Sequence, residues 1–305
     1  MSHADFVHLR VRSAYSLLDG AMHAPEIVAL AKEHRMPAAA LVDKRNLFGA
    51  LEFAMKASAA GIQPITGAIL PIARDDAGSD AAMRRPPADD LVVLAQNETG
   101  YGRLMHVLSN AYLASAAEHD PELALAQLEG ETEGLIALTG GPDGAIDRML
   151  LEGQTDQARA RLIALQALFP GRLYVEIQRL GRPEEQLVEP RLLDLADALD
   201  LPIVGTNDVR FATADMHGAH DALLAIADGR KLEETDRRRS TPEYRFKSPE
   251  EMRELFADLP EAADNTLAIA QRCAVMPEPR NPILPTFETG GGRDEMAELK
   301  AQARD

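Results

Sequence analysis

The chain has 305 residues, 46% hydrophobic, 27% charged and 4% aromatic with no tryptophan, so it can bury a large core that must rest mainly on aliphatic contacts. With 32 Lys and Arg against 49 Asp and Glu the formal charge is -17, the reverse of a phosphate-binding footprint, which argues against more than weak DNA binding by this segment alone. Cys273 is the only cysteine, which excludes an internal disulfide or a CxxC zinc site, and no apolar run reaches the length of a membrane span.

The N-terminus runs straight into Phe6-Val7-His8-Leu9 without the basic-then-apolar order of a signal peptide, so a soluble, cytoplasmic protein is expected. Residues 7–11 read as a strand, 27–33 as a helix opened by Pro25, 39–42 as a strand and 48–60 as a helix stopped by Gly61. A strand over 64–72 comes next. Residues 74–90, rich in Asp, Gly and Arg with a Pro86-Pro87 pair, read as a solvated loop.

Further strands are expected at 91–95, 135–138, 173–177 and 203–206, and further helices at 98–117, 145–150, 156–169, 184–199 and 214–227. This makes about seven strand and helix units, whose parallel crossovers either close a barrel or form a doubly wound sheet; periodicity does not choose. After Gly229 strands end: a charged turn at 233–239 and a short segment at 244–247 precede helices at 249–256 and 260–273. Residues 275–292, with four prolines and three consecutive glycines, read as an extended linker, and 294–305 as the start of a helix. The expected division is 1–228, 229–275 and 276–305: a barrel, its helical completion, and a linker with a first helix leading onward.

The run Phe6-Val7-His8-Leu9-Arg10-Val11-Arg12-Ser13-Ala14-Tyr15-Ser16-Leu17-Leu18-Asp19-Gly20 resembles the opening motif of the N-terminal PHP (polymerase and histidinol phosphatase) domain of bacterial replicative DNA polymerase III α subunits. The similarity continues in order through Asp43-Lys44-Arg45-Asn46-Leu47-Phe48-Gly49, Gly61-Ile62-Gln63-Pro64-Ile65-Thr66-Gly67, Gly134-Leu135-Ile136-Ala137-Leu138-Thr139-Gly140-Gly141, Thr206-Asn207-Asp208-Val209-Arg210 and Phe246-Lys247-Ser248-Pro249-Glu250-Glu251-Met252. It covers nearly the whole chain. The resemblance implies a distorted (β/α)7 TIM-like barrel of the PHP type, followed by short helices and an extended linker. In metal-loaded relatives, histidines and carboxylates at the strand ends hold zinc or manganese that activates water for phosphoester hydrolysis.

Residue by residue, that ligand set fails here. The His-x-His pair of the first motif falls on Arg10 and Arg12, and a guanidinium has no lone pair to donate. A further His falls on Lys44, the Glu after the glycine of the third motif on Ile69, and another His on Asp90. Gly141 stands where a Cys or other ligand occurs, Leu180 is near a His position, and the final Asp-x-His is Asp208-Val209-Arg210. Asp19 and Asp208 survive. The expectation is therefore no metal and no catalytic residue, with Arg10, Arg12, Lys44 and Arg210 pairing with Asp19, Asp90 and Asp208 and closing the barrel mouth by salt bridges. The plainer alternative is that these basic side chains reach solvent at a loop-lined mouth.

Other candidates read as structural. His217 and His220, three apart beside Asp221, lack the glutamate of an HExxH site and suit helix packing, and His8 suits a core role. The glycines of Gly140-Gly141-Pro142-Asp143-Gly144 lack the Lys-Ser/Thr ending of a phosphate loop and read as a turn. Arg237-Arg238-Arg239 follows acidic residues and reads as a solvated turn. Functionally, the resemblance implies a catalytically silent scaffold that stabilises the polymerase α subunit and docks the ε proofreading exonuclease. The polymerase's magnesium-binding palm carboxylates would lie beyond Asp305. The alternatives are a metal-dependent phosphoesterase or 3'-5' exonuclease with a rearranged site, and a free-standing small-molecule binding protein.

Overall fold

The computed structural model describes residues 3–74, 87–115, 120–282, 289 and 294–304. Most of the loop expected at 74–90 and part of the linker expected at 275–292 lie outside the described residues. Six strands form one curled sheet in chain order: β1 (Ala38–Lys44), β2 (Gln63–Ile72), β3 (Asp89–Ala95), β4 (Leu135–Leu138), β5 (Leu173–Gln178) and β6 (Ile203–Thr206). Helices α1 (Ala24–Glu33), α2 (Ala50–Ala60), α3 (Glu98–Ala114), α4 (Ala145–Leu151), α5 (Thr155–Leu168), α6 (Pro183–Ala198) and α7 (His217–Ala227) separate or flank them. Then follow α8 (Pro249–Leu255), α9 (Pro260–Arg272) and α10 (Glu295–Gln302).

Two expectations need correction. The strands are not all parallel: β3 runs antiparallel to both β2 and β4. No helix lies between β2 and β3 among the described residues, and only a crossover helix obliges consecutive strands to run the same way. Strand β3 also begins at Asp89, so Asp89 and Asp90 belong to the sheet rather than to the preceding loop.

The second correction concerns the opening segment. Residues 7–11 form no regular strand; Val11 alone bridges Leu41 of β1 on one side and Val209, just past β6, on the other. On the β1 side the Ala40 amide donates to the His8 carbonyl and the Val42 amide to the Val11 carbonyl, so three steps of one chain match two of the other. That is a one-residue bulge. The segment still joins the two sheet ends into a closed ring of seven positions, a distorted (β/α)7 barrel.

Side chains alternate across this ring. Ala39 and Leu41, Leu70, Val93, Ala137 and Val175 pack outward against the helices, whereas Ala40, Val42, Ile69, Val92, Leu138 and Val204 fill the lower interior. Helix α9 closes the bottom with Ile269, Ala270 and Cys273 packed against that interior cluster. The Gln63 amide donates to the Ala270 carbonyl at 2.7 Å and the Asn265 amide to the Ile203 carbonyl at 2.8 Å, tying α9 to the strand starts. The interior is sealed below, and its polar positions lie above.

Candidate functional site

Upward along the same inward-facing rows the side chains become polar: Lys44 on β1, Asp90 on β3, Glu176 and Gln178 on β5, Thr206 on β6. Because β3 is reversed, Asp90 at its beginning lies at the same end as Lys44, the last residue of β1, with Nζ 3.0 Å from Oδ1. The bulge turns both Leu9 and Arg10 inward: Leu9 joins the apolar cluster while Arg10 reaches Glu176 and Asp208. Arg12, two residues on, faces the same way.

Asp208 is the hub. Its Oδ1 accepts from Arg10 Nε at 2.9 Å and Arg12 Nε at 2.8 Å; its Oδ2 accepts from Arg12 Nη2 at 3.0 Å and from Arg210 Nε and Nη2 at 3.1 and 2.7 Å. The residue sits at φ 44°, a left-handed conformation uncommon outside glycine, which the three guanidiniums help to hold. Arg10 Nη1 donates to the Gly140 carbonyl at 2.9 Å and to both oxygens of Glu176 at 3.2 and 3.1 Å. Asp90 Oδ2 lies 3.7 Å from Arg10 Nη2 and 3.8 Å from Arg12 Nη2.

Asp19 completes the upper layer. It accepts from Arg12 Nη1, from Arg210 Nη1 at 3.1 Å and from Arg238 Nη1 at 3.2 Å. Its loop is pinned from below by Asp43, which accepts from the Ser13 amide and hydroxyl, both at 2.8 Å, and from the Ser16 hydroxyl at 2.6 Å. Gly20 allows the tight return of this loop, since a Cβ there would lie 2.0 Å from the Ser13 carbonyl oxygen. The Arg210 guanidinium stacks on Tyr244, 4.4 Å from the ring centre.

Arg10 and Arg12 are each 1% exposed and Arg210 6%, so the basic side chains do not lead into solvent, except Lys44, whose side chain is 32% exposed. Burial alone would lower the arginine pKa values, yet Asp208 and the other carboxylates more than offset it for Arg10 and Arg12. For Arg210 the offset comes from Asp19 and then Asp208. Burial would likewise raise Asp208, but Arg10, Arg12 and Arg210 hold it well below the carboxylate range, and Arg210 and Arg12 do the same to Asp19. All these groups are charged at neutral pH.

The structure thus brings together Arg10, Arg12, Asp19, Lys44, Asp90, Asp208 and Arg210. Ile69 lies apart from them in the apolar interior, and Leu180 packs with Phe211 and Tyr244. Gly141 has φ 55°, and a Cβ there would sit 2.8 Å from the Gln178 side chain, so the position holds a turn. Glu176 was missed by sequence reasoning although it is fully buried at the centre of the cluster. With it, Arg10, Arg12, Lys44, Arg210 and Arg238 face five carboxylates, Asp19, Asp90, Asp143, Glu176 and Asp208. Its signal was a lone charge within the buried run Leu173–Gln178.

Several side readings change. Arg237-Arg238-Arg239 is not simply a solvated turn: Arg237 clasps the Asp221 carboxylate, with its side chain 1% exposed, and Arg238 reaches Asp19 and Asp228. His220 places Nε2 2.8 Å from the Asp19 carbonyl and Nδ1 2.9 Å from the Ser240 hydroxyl, and His217 Nε2 is 2.9 Å from the Ser240 carbonyl. Both act as ties for the 228–241 segment. His8, buried and 2.8 Å from the Lys247 carbonyl, has its pKa pushed down to about 4 by desolvation and stays neutral.

The residues present do not fit a metal. Both Asp208 oxygens and the Gly140 carbonyl are taken by guanidinium donors, and a guanidinium occupies the point on which the oxygens converge. Among the described residues no group of three His, Cys, Asp or Glu side chains is placed to bind one.

The fold and site define an α/β barrel whose strand-end mouth, where ligand-binding groups sit in such barrels, is filled by a neutralised ion-pair cluster. The PHP domain family matches residues 8–180, and the chain belongs to that family. It is 51% identical over 98% of its length to the DNA polymerase III subunit alpha of Caulobacter vibrioides, covering 26% of that protein. Identity to the same subunit of Escherichia coli K12 is 39% over 95% of this chain and 24% of that one. The chain therefore spans about a quarter of the length of these relatives, in their N-terminal region. Among solved structures, an amidohydrolase from Chromobacterium violaceum is similar with a TM-score of 0.48 and 14% identity, over 67% of this chain and 87% of that one.

Proposed function

We propose that this chain serves as a non-catalytic PHP scaffold of a bacterial DNA polymerase III α subunit, stabilising the polymerase and docking the ε proofreading exonuclease. One observation carries the reading: three buried guanidiniums occupy both oxygens of Asp208, a carboxylate that a hydrolytic metal centre would need. Relatives in the PHP family use cations at this mouth, and here Arg10, Arg12, Lys44 and Arg210 supply the positive charge covalently. The cluster then works as structure. It fixes the loop carrying Asp19, the turn at Gly140 and the segment around Arg238 to the barrel, and these form the outer face of the domain.

Three measurements test this. The purified protein carries no stoichiometric zinc or manganese after dialysis against either ion, and it releases neither phosphate from phosphoesters nor nucleotides from a 3' end. Stoichiometric metal, or turnover that Asp208→Asn abolishes, would overturn the non-catalytic reading. Capture by the cognate ε subunit at low salt tests the docking part by itself: no capture removes ε from the proposal and leaves stabilisation.

A further inference from the structure

One exposed face of the domain is unlike the rest. Phe48, at the start of α2, is 63% exposed; on α3 Met105 is 39%, Tyr112 49% and Leu113 84% exposed. With Leu47 and Tyr101 these line a shallow groove of about 650 Å³ between α3 and the residues leading into α2 (the α2–α3 groove), in which, among the described residues, Arg45 is the only charged lining residue. Single exposed apolar residues are ordinary, but a contiguous apolar groove on an otherwise highly charged protein marks a surface that is covered in use. The path of the backbone bears on what covers it. After α9 the chain passes α3: the Ala274 amide donates to the Gln96 carbonyl at 2.9 Å, one residue before the Asn97 cap of α3, Val275 packs in the core and residues 278–282 are exposed. The exit is thus beside the groove, and relatives continue for about three times the length of this chain.

From this we infer that the α2–α3 groove is the seat of the polymerase body, the remainder of the same longer polypeptide, which presents an aliphatic ridge to Phe48, Met105, Tyr112 and Leu113. This rests on the proposed membership of a polymerase α subunit. A chain returning along α3 covers the groove within one molecule, and a covalent link beside the contact raises the effective concentration of the two faces. A neutral, apolar contact of this kind is insensitive to salt, unlike one made through the charged mouth.

The test is radical footprinting of the full-length polypeptide alone, with each residue's labelling normalised to the unfolded chain. Leu187, 67% exposed on α6, is the internal reference for Leu113. The expected result is labelling of Leu113 and Phe48 at least about five-fold slower than that of Leu187, as for residues in an interface core. Labelling of Leu113 as fast as Leu187 overturns the inference, and so does protection that appears only when a separate proofreading subunit is added. The mass of the gene product on an immunoblot tests the underlying reading separately: a product no longer than this chain overturns both, whereas a long product with an unprotected groove overturns the inference alone.

Discussion

The lower and upper halves of one barrel interior are filled in opposite ways. Below, Ala40, Val42, Ile69, Val92, Leu138 and Val204 pack as aliphatic side chains; above, Arg10, Arg12, Lys44 and Arg210 meet Asp19, Asp90, Glu176 and Asp208, with Arg238 and Asp143 at the rim. The lower half is sealed from solvent, and of Arg10, Arg12, Lys44 and Arg210 in the upper half only Lys44 is substantially exposed. An aliphatic layer gains from every contact it makes and degrades gradually when one is lost. An ionic layer gains little net energy from being ionic, since desolvation cancels most of the attraction, but it tolerates no imbalance because a single unpaired charge is left in a water-free interior. The lesson is that the upper half specifies geometry more than it adds stability.

The sharpest break in that comparison is Arg10→Ala, which leaves buried Glu176 without its cation and removes one of the three guanidiniums on Asp208; it is expected to cost about 3–5 kcal/mol in chemical denaturation. A midpoint equal to wild type would remove the cluster from any structural role. Ile69→Ala, in the lower half, is expected to cost a similar or slightly smaller amount, about 2–5 kcal/mol, from a cavity. What separates the two is pH: the Ile69 deficit stays constant between pH 3 and pH 7 on the order of experimental error, because no titrating group is involved.

Acid supplies the next comparison. Asp19 and Asp208 have folded pKa values below their unfolded ones, so their contribution is complete above about pH 4 and is lost as pH falls further toward the folded values. Wild type should lose melting temperature steeply below that point, and Asp208→Asn, already destabilised, should show a flatter profile there. Parallel acid curves for the two proteins would contradict the assignment. Asp147 on α4 has the opposite sign: burial first, then Glu176 and Asp143, raise it to about 8, and one of its oxygens is buried with no hydrogen-bond partner. It costs stability increasingly as pH rises from about 4 to about 8. Asp147→Asn should therefore raise the melting temperature by a few degrees, and more at pH 8 than at pH 5; a gain that does not grow with pH refutes this. The smallest effect belongs to Lys44→Ala, about 0–1 kcal/mol, because that ion pair is partly solvated.

Much of this was legible in the sequence. The order of most strands and helices, the PHP resemblance and the residue types at Arg10, Arg12, Lys44, Ile69 and Arg210, none of them a metal ligand, follow from local motifs. Local pattern reports such things because alternation, capping and side-chain chemistry are short-range properties. It failed where the answer depended on partners far along the chain. Arg238 looked like part of a solvated run until the fold set it 3.2 Å from Asp19, and Asp90, expected to pair with the cations, looked like a loop residue rather than part of the reversed strand β3.

By itself, then, the sequence determined which side chains can hold a metal and which cannot, since a guanidinium lacks a lone pair in any fold. Only the tertiary structure decided that these charges are buried, that Glu176 balances them and that Asp208 is shared by three arginines. Those facts rest on a one-residue bulge at Leu9 and Arg10 and on contacts between residues as far as 198 positions apart, which no local periodicity encodes.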